Sequence, residues 1–203
     1  MESEFLNVMR TLVSVATPLM IAALGETITE RAGVINLSLD GSLALTAMTG
    51  IDVLTHAVEA YTSNAASAMS DMFAEKALVL AAEHLPACYA DGRNRESRAA
   101  MALADTCAGI AICHAVVSLA HVMAHVIGGH FHDIAHGAAL HAIYPGVLAL
   151  NQPALPEKHE RIAGILSPGC TDAAEAYRRF TEVFDLPNAL AVHAPSEESI
   201  RTL

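Results

Sequence analysis

Two pairs of side chains stand four residues apart in this sequence: Asp52 with His56, and His121 with His125. On an α-helix that spacing turns both members of a pair to one face, about 6 Å apart. Such a pair can clamp a metal ion, and His136, just ahead of Gly137, offers a further imidazole. One carboxylate with two or three imidazoles is a borderline-hard donor set, suited to Fe2+ or Zn2+ with a position left open for substrate. A cation so placed polarises an alcohol oxygen and favours the alkoxide.

Each residue also has a plainer role. Asp52 serves as well as a helix N-cap, and a lone histidine on an apolar face is most often a hydrogen-bonded core residue. Seven of the eleven histidines fall between His114 and His141. Burying that many imidazoles without a ligand would leave many polar atoms to satisfy, which favours ligands among them. His114, His130, His132 and His141 read as outer supports or surface residues. His121-Val-Met-Ala-His125 lacks the glutamate that an HExxH protease uses as its base.

These donors need helices to position them, and the sequence supplies helices throughout. Asp52 to Tyr61 reads as one, followed by a Ser/Asn/Ala-rich turn. Ser67 to Ala90 carries Met69, Phe73, Ala77, Leu78, Ala81 and Leu85 as one apolar stripe, with Pro86 weakening the last turn and Asp91-Gly92 ending it. Glu96 to Val117 is almost wholly apolar after Thr106, which predicts a central helix. Ser118 can cap a helix through His121 and His125 that Gly128-Gly129 stop. After a loop from His130 to Ile134, Ala135 to Tyr144 runs until Pro145 breaks it. Glu157 to Leu166 and Asp172 to Phe184 complete the set. No alternating strand pattern exceeds a few residues, so the expected class is all-α, a helical bundle.

The chain has 203 residues, 53% of them hydrophobic, with no Trp and a net charge of −11. An Ala- and Leu-rich composition favours helix. Strong negative charge without a basic run excludes nucleic acid as a partner. Cys88, Cys107, Cys113 and Cys170 form no CxxC pair and the N-terminus is not basic, which together fit a reducing cytoplasm.

The stretch TGIDVLTHAVEAYTS resembles the signature of iron-containing alcohol dehydrogenases. So do Ser70-Asp71, DGRNRESRAAM, AGIAI and HVMAHVIGGHFHDIAHGAALHAIYP, in order, over about 150 residues. The resemblance implies the helical C-terminal half of that family, from about Thr49 to Leu203. It implies that Asp52, His56, His121 and His136 are metal ligands. It also makes His125 a non-ligand near the reacting carbon and the nicotinamide, a candidate proton relay. The activity implied is alcohol–aldehyde interconversion with NAD(P) on a small-molecule substrate. The stretch between His125 and His136 is one residue longer than the common family version, and His114 stands where many members have Asn.

The first 48 residues read differently. Thr11 to Gly25 is an uncharged run, shorter than the roughly 20 residues a bilayer span needs. ATPLMIAALGETITERAGVINLSLDG resembles the opening of permease subunits of ABC importers for sugars and nucleosides. Two segments are therefore expected: an apolar helical appendage over 1–48, and a dehydrogenase-like domain over 49–203 that ends short of the family's last helices. The seam falls between Asp40 and Thr49. Without a Gly-rich dinucleotide loop after a strand, the expectation is a chimeric or truncated product with little or no activity alone. Membrane association would come only through residues 5–25, and an apolar face left by the missing half would favour self-association. The alternatives are a helical metal-dependent phosphohydrolase built on His132-Asp133 and a non-enzymatic, membrane-associated fragment.

Overall fold

The computed structural model describes residues 39–191, with side chains from residue 46 onward. By internal contacts the chain divides into two units, Met1–Ser42 and Leu43–Leu203. The permease-like reading of residues 1–48 and the 5–25 segment lie wholly or mostly outside the described residues. Within those residues the structure is helical, with no strand. Seven α-helices follow one another: α1 Leu39–Thr62, α2 Ala68–Ala90, α3 Arg95–Ala115, α4 Leu119–His130, α5 His136–Asn151, α6 Pro156–Leu166 and α7 Ala173–Thr181. Short 3-10 turns lie at Gln152–Ala154 and Glu182–Phe184.

Helix α1 is the centre of this bundle. Ala47, Ile51, Val53, Leu54, Ala57, Val58 and Ala60 are all buried, along with Thr55 and Glu59. With these nine side chains buried, α1 lies inside the domain, and its half-buried Asp52 and His56 mark the face left partly open. It begins at Leu39, well before the expected Asp52, so the seam foreseen between Asp40 and Thr49 falls within one helix. Small residues let neighbours approach closely. Leu85 packs over Gly50 and the α5 terminus reaches Met48 at Gly137, both at distances that exclude a methyl group.

The expectation that the third helix would be central is not met. Ala104, Cys107, Ala108, Ala111 and Ala115 of α3 are buried, but Leu103, Cys113 and His114 are exposed. An alanine-rich helix needs little cover, because its buried stripe is narrow. Helices α2 and α3 pack as an antiparallel pair, α4 packs on α5, and α7 packs on both α5 and α6. The α2 stripe is buried at Ala77, Leu78, Ala81 and Leu85, while Met69 is exposed because it sits in the first turn.

Capping follows the sequence signals. Ser67 and Ser70 form a reciprocal capping box at α2, Asn94 caps α3, and Asp172 accepts the Glu175 amide at 2.8 Å. Two stop signals are overridden. Gly128-Gly129 lie within α4, which runs on to His130, and Pro145 lies within α5, which continues to Asn151. Proline removes one backbone bond, a loss that burial of Tyr144, Val147 and Leu148 around it outweighs. An aromatic cluster closes the far side of the core. Tyr144 meets Tyr177 at 5.1 Å, and Phe184 meets Phe180 and Tyr89 at 5.5 and 5.3 Å. All four cysteines are unpaired.

Candidate metal centre

Three helices bring the sequence-predicted donors together. Asp52 and His56 rise from one face of α1, His121 from the first turn of α4, and His136 opens α5. Asp52 is therefore an interior residue of α1 rather than its N-cap. Its Oδ1 is the focus: His121 Nε2 lies 3.2 Å away, His136 Nε2 3.6 Å and His56 Nδ1 3.7 Å. Two donors on one tetrahedral cation, each bonded at roughly 2.1 Å, stand about 3.4 Å apart. The spacing fits that donor set.

Asp52, His56 and His121 form a group whose ligand atoms all lie within 4.8 Å of one another. His136 is close to Asp52 but outside that tightest group. The His56 and His121 rings stack at 4.2 Å, and the His136 ring lies 5.5 Å from that of His121. His125, one turn further along α4, is exposed, with its ring 5.2 Å from that of His136.

Only one of the seven clustered histidines is buried. His121 is 2% exposed, whereas His114, His125, His130 and His132 are exposed and His136 and His141 half-buried. The expectation that many imidazoles would need satisfying inside the core is thus corrected. His114 and His130 are surface residues bonded to the carbonyls of Ile110 and Val126 four residues back, and His141 Nδ1 lies 3.3 Å from the Tyr177 hydroxyl.

The sequence reading missed Glu59. It is 2% exposed and lies on the same α1 face as Asp52 and His56, at i+7 and i+3. Its Oε2 accepts from His121 Nδ1 at 2.7 Å and from the Ser118 amide at 2.9 Å. Its Oε1 accepts from the Ala120 amide at 2.7 Å and the Ser118 hydroxyl at 2.8 Å. Ser118 was expected to cap α4 with its own side chain, but makes no such bond. Glu59 does that work from the neighbouring helix. The carboxylate also offsets the positive end of the α4 dipole.

Electrostatics follow from this geometry. Burial alone would raise the Asp52 carboxyl, but the hydrogen bond with His121 and the charges of His56 and His136 hold it below the usual range. Glu59 is likewise lowered, burial being outweighed by the bonds from His121, Ser118 and Ala120. Burial depresses His56 and His136 despite the attraction of Asp52. His121 goes the other way. Burial opposes its charged form, but bonds to two carboxylates push it up to about 9. Ionised Asp52 and neutral His56 and His136 are the forms in which a divalent cation takes its donors, whereas His121 must release a proton for its Nε2 to join them.

His132 and Asp133 are exposed in the α4–α5 turn and join no group of converging donors among the described residues. An apolar hollow lined by Met72, Phe73, Val79 and Cys107 shares no residue with the cluster.

The described fold and its site define an all-helical domain built around a carboxylate–imidazole cluster. Residues 46–199 match the C-terminal part of the Fe-containing alcohol dehydrogenase family, and the chain belongs to that family. It is 33% identical to an NAD-dependent methanol dehydrogenase of Bacillus methanolicus, over 93% of this chain and 52% of that protein. It is 42% identical to a 1,3-propanediol dehydrogenase of Klebsiella pneumoniae, over 65% of this chain and 35% of the other. Among solved structures, a 1,3-propanediol oxidoreductase superimposes with a TM-score of 0.69 at 38% identity, covering 77% of this chain and 43% of that one. An archaeal alcohol dehydrogenase from a Red Sea brine pool gives 0.70 at 32%, covering 78% and 42%. The chain thus spans about half, or less, of the length of these relatives. An alignment over 93% of the chain also extends into its first 48 residues, the segment with the permease resemblance.

Proposed function

We propose that Asp52, His56, His121 and His136 hold one divalent cation, Fe2+ or Zn2+, and that this chain is the metal-binding domain of an NAD(P)-dependent alcohol–aldehyde oxidoreductase. The observation that carries the reading is the convergence of three imidazole nitrogens within 3.2–3.7 Å of Asp52 Oδ1. The donor set, one carboxylate and three imidazoles, suits either metal. A cation held there supplies Lewis-acid polarisation of a substrate oxygen.

The chain's own residues do the rest. Asp52 and His56 sit on a central helix most of whose side chains are buried, so half of the donor set is carried by the packed core. His125 stands at the exposed rim beside His136, placed to hold or pass a proton between substrate and solvent. The relatives named for methanol and 1,3-propanediol dehydrogenation favour small alcohols or their aldehydes as substrates. These 203 residues contain no Gly-rich loop after a strand, so the domain by itself supplies the cation site without the main dinucleotide site and gives little turnover alone. Leu119, Val122, Met123 and Val126 of α4 are exposed and favour self-association. Among the described residues no single helix is long and apolar enough to cross a membrane. An exposed His132-Asp133 pair gives the phosphohydrolase alternative no support.

The test is metal content and thermal stability of the purified chain, titrated with Fe2+ and Zn2+. His136→Ala is expected to weaken binding, whereas His125→Ala leaves it unchanged. A chain that takes up neither metal, or whose stability ignores both, overturns the reading. NAD(P)H formation with methanol or 1,3-propanediol is expected to be negligible, and a robust rate would refute the inactive-alone proposal.

A further inference from the structure

A buried carboxylate one turn beyond the donors has every acceptor position filled, and all four of its partners belong to the entry of α4. Glu59 takes two hydrogen bonds on each oxygen, from the Ser118 amide and hydroxyl, the Ala120 amide and His121 Nδ1. Just past the end of α1, the Ser63 hydroxyl donates to the Ala115 carbonyl, the last residue of α3, at 2.5 Å. The α1 face that presents Asp52 and His56, with the residue that follows the helix, thus grips both sides of the α3–α4 turn. That turn needs holding. Val116, within it, has φ 55, a left-handed conformation that a β-branched side chain resists.

We propose that Glu59 is a positioning residue for the metal site: its carboxylate fixes His121 with the proton on Nδ1 and sets the first turn of α4, so that Nε2 faces Asp52. This rests on the reading of the cluster as a cation site, but its physical content is separate. A carboxylate has no proton to give, so the 2.7 Å contact obliges His121 Nδ1 to be the donor. The lone pair used toward a cation is then on Nε2, the nitrogen that lies 3.2 Å from Asp52 Oδ1. Outer partners of this kind set the tautomer and the ring orientation of a ligating histidine. Glutamine in the same place cannot do so without penalty. Whichever way its amide turns, the NH2 group meets two donors: the Ser118 hydroxyl with the Ala120 amide, or the Ser118 amide with His121.

The experiment compares the full chain with Glu59→Gln and Ser118→Ala, each shown folded by circular dichroism at the working temperature. Zn2+ affinity is measured by competition with a chromophoric chelator. Glu59→Gln is expected to weaken Zn2+ by roughly 10–100-fold. Ser118→Ala, which removes only the hydroxyl and keeps the bond to His121, is expected to lower the melting temperature and leave affinity within about threefold, well short of that range. A folded Glu59→Gln chain with affinity within about threefold of the parent overturns the proposal.

Nitrogen-15 NMR of the histidine rings provides a reading that needs no variant. His121 of the parent chain should carry a slowly exchanging Nδ1 proton with and without Zn2+. Its absence overturns the proposal even where Glu59→Gln fails to fold. A parent chain that binds no Zn2+ yet keeps that proton refutes the cation reading alone.

Discussion

Gly137 follows the donor His136 and brings the start of α5 against α1. A Cβ at that position would lie 2.3 Å from the Met48 carbonyl oxygen and 2.7 Å from its carbon. Carbon–oxygen contacts settle at roughly 3.3–3.6 Å, so Gly137→Ala must separate the two backbones by about 1 Å. Neither side can yield by a rotamer change, because the obstacle is main chain of the central helix. His136 rides on the displaced segment, and its Nε2 is 3.6 Å from Asp52 Oδ1. Ligand distances in a working metal site hold to within about 0.2 Å, several times less than this displacement.

Overpacking of this kind costs about 1–3 kcal/mol, which for a domain of this size lowers Tm by roughly 2–12 °C. Zn2+ affinity is expected to fall by roughly 10–100-fold, the scale found when a ligand loses its outer support. Gly50→Ala is the control. It also overpacks, its Cβ meeting Leu85 Cδ1 at 2.1 Å, but it does so on the α2 side and should destabilise without weakening the metal. Thermal denaturation without metal and chelator competition with Zn2+ separate the two effects. A Gly137→Ala chain that melts and binds Zn2+ as the parent does would refute the close-approach reasoning.

Three further substitutions probe the frame. Val116→Gly should raise stability by about 1 kcal/mol in thermal melts, since relief of the strained φ exceeds the entropy glycine adds to the unfolded chain; destabilisation would show that the exposed side chain matters more than its backbone. Gly164→Ala, in the interior of α6 with open space around it, should stabilise by roughly 0.5–1 kcal/mol, and a loss would contradict that geometry. Lys158 bonds the Tyr61 carbonyl at 2.6 Å and Asp71 at 2.8 Å, with its ammonium 4.4 Å from the Tyr61 ring. Lys158→Met strands two partly buried acceptors and should cost about 1–3 kcal/mol in urea unfolding, with an unchanged midpoint as the refuting result.

The convergence of Asp52, His56, His121 and His136 was legible because side chains one helical turn apart share a face. Asp52/His56 and His121/His125 repeat at one helical turn. The division of labour within the second pair was not legible from spacing. His121 and His125 look alike in the sequence, yet one is buried between two carboxylates and the other exposed. Glu59 escaped notice although it continues the Asp52–His56 face at i+7, because its partners at 118–121 are some 60 residues away. The central place of α1 was hidden by its polar residues, Asp52, Thr55, His56 and Glu59, which dilute its apolar pattern while pointing to partners inside the protein. Gly128-Gly129 and Pro145 misled in the opposite direction. Local propensity marks them as breaks, and tertiary packing carries the helices through.

The burial of α1 gives the candidate site one closely packed wall, while α4 and α5 keep an open flank beside the donors they carry. Changes to the buried α1 residues beside Asp52 and His56 must be absorbed by packed neighbours, so that wall tolerates little drift. His121 and His136 hang from helices with an open flank, where exposed Val122, Val126 and His125 can be exchanged without disturbing the core. Diversification of metal preference or substrate shape, natural or engineered, therefore has its room on α4 and α5, with α1 as the fixed anvil against which new variants are struck.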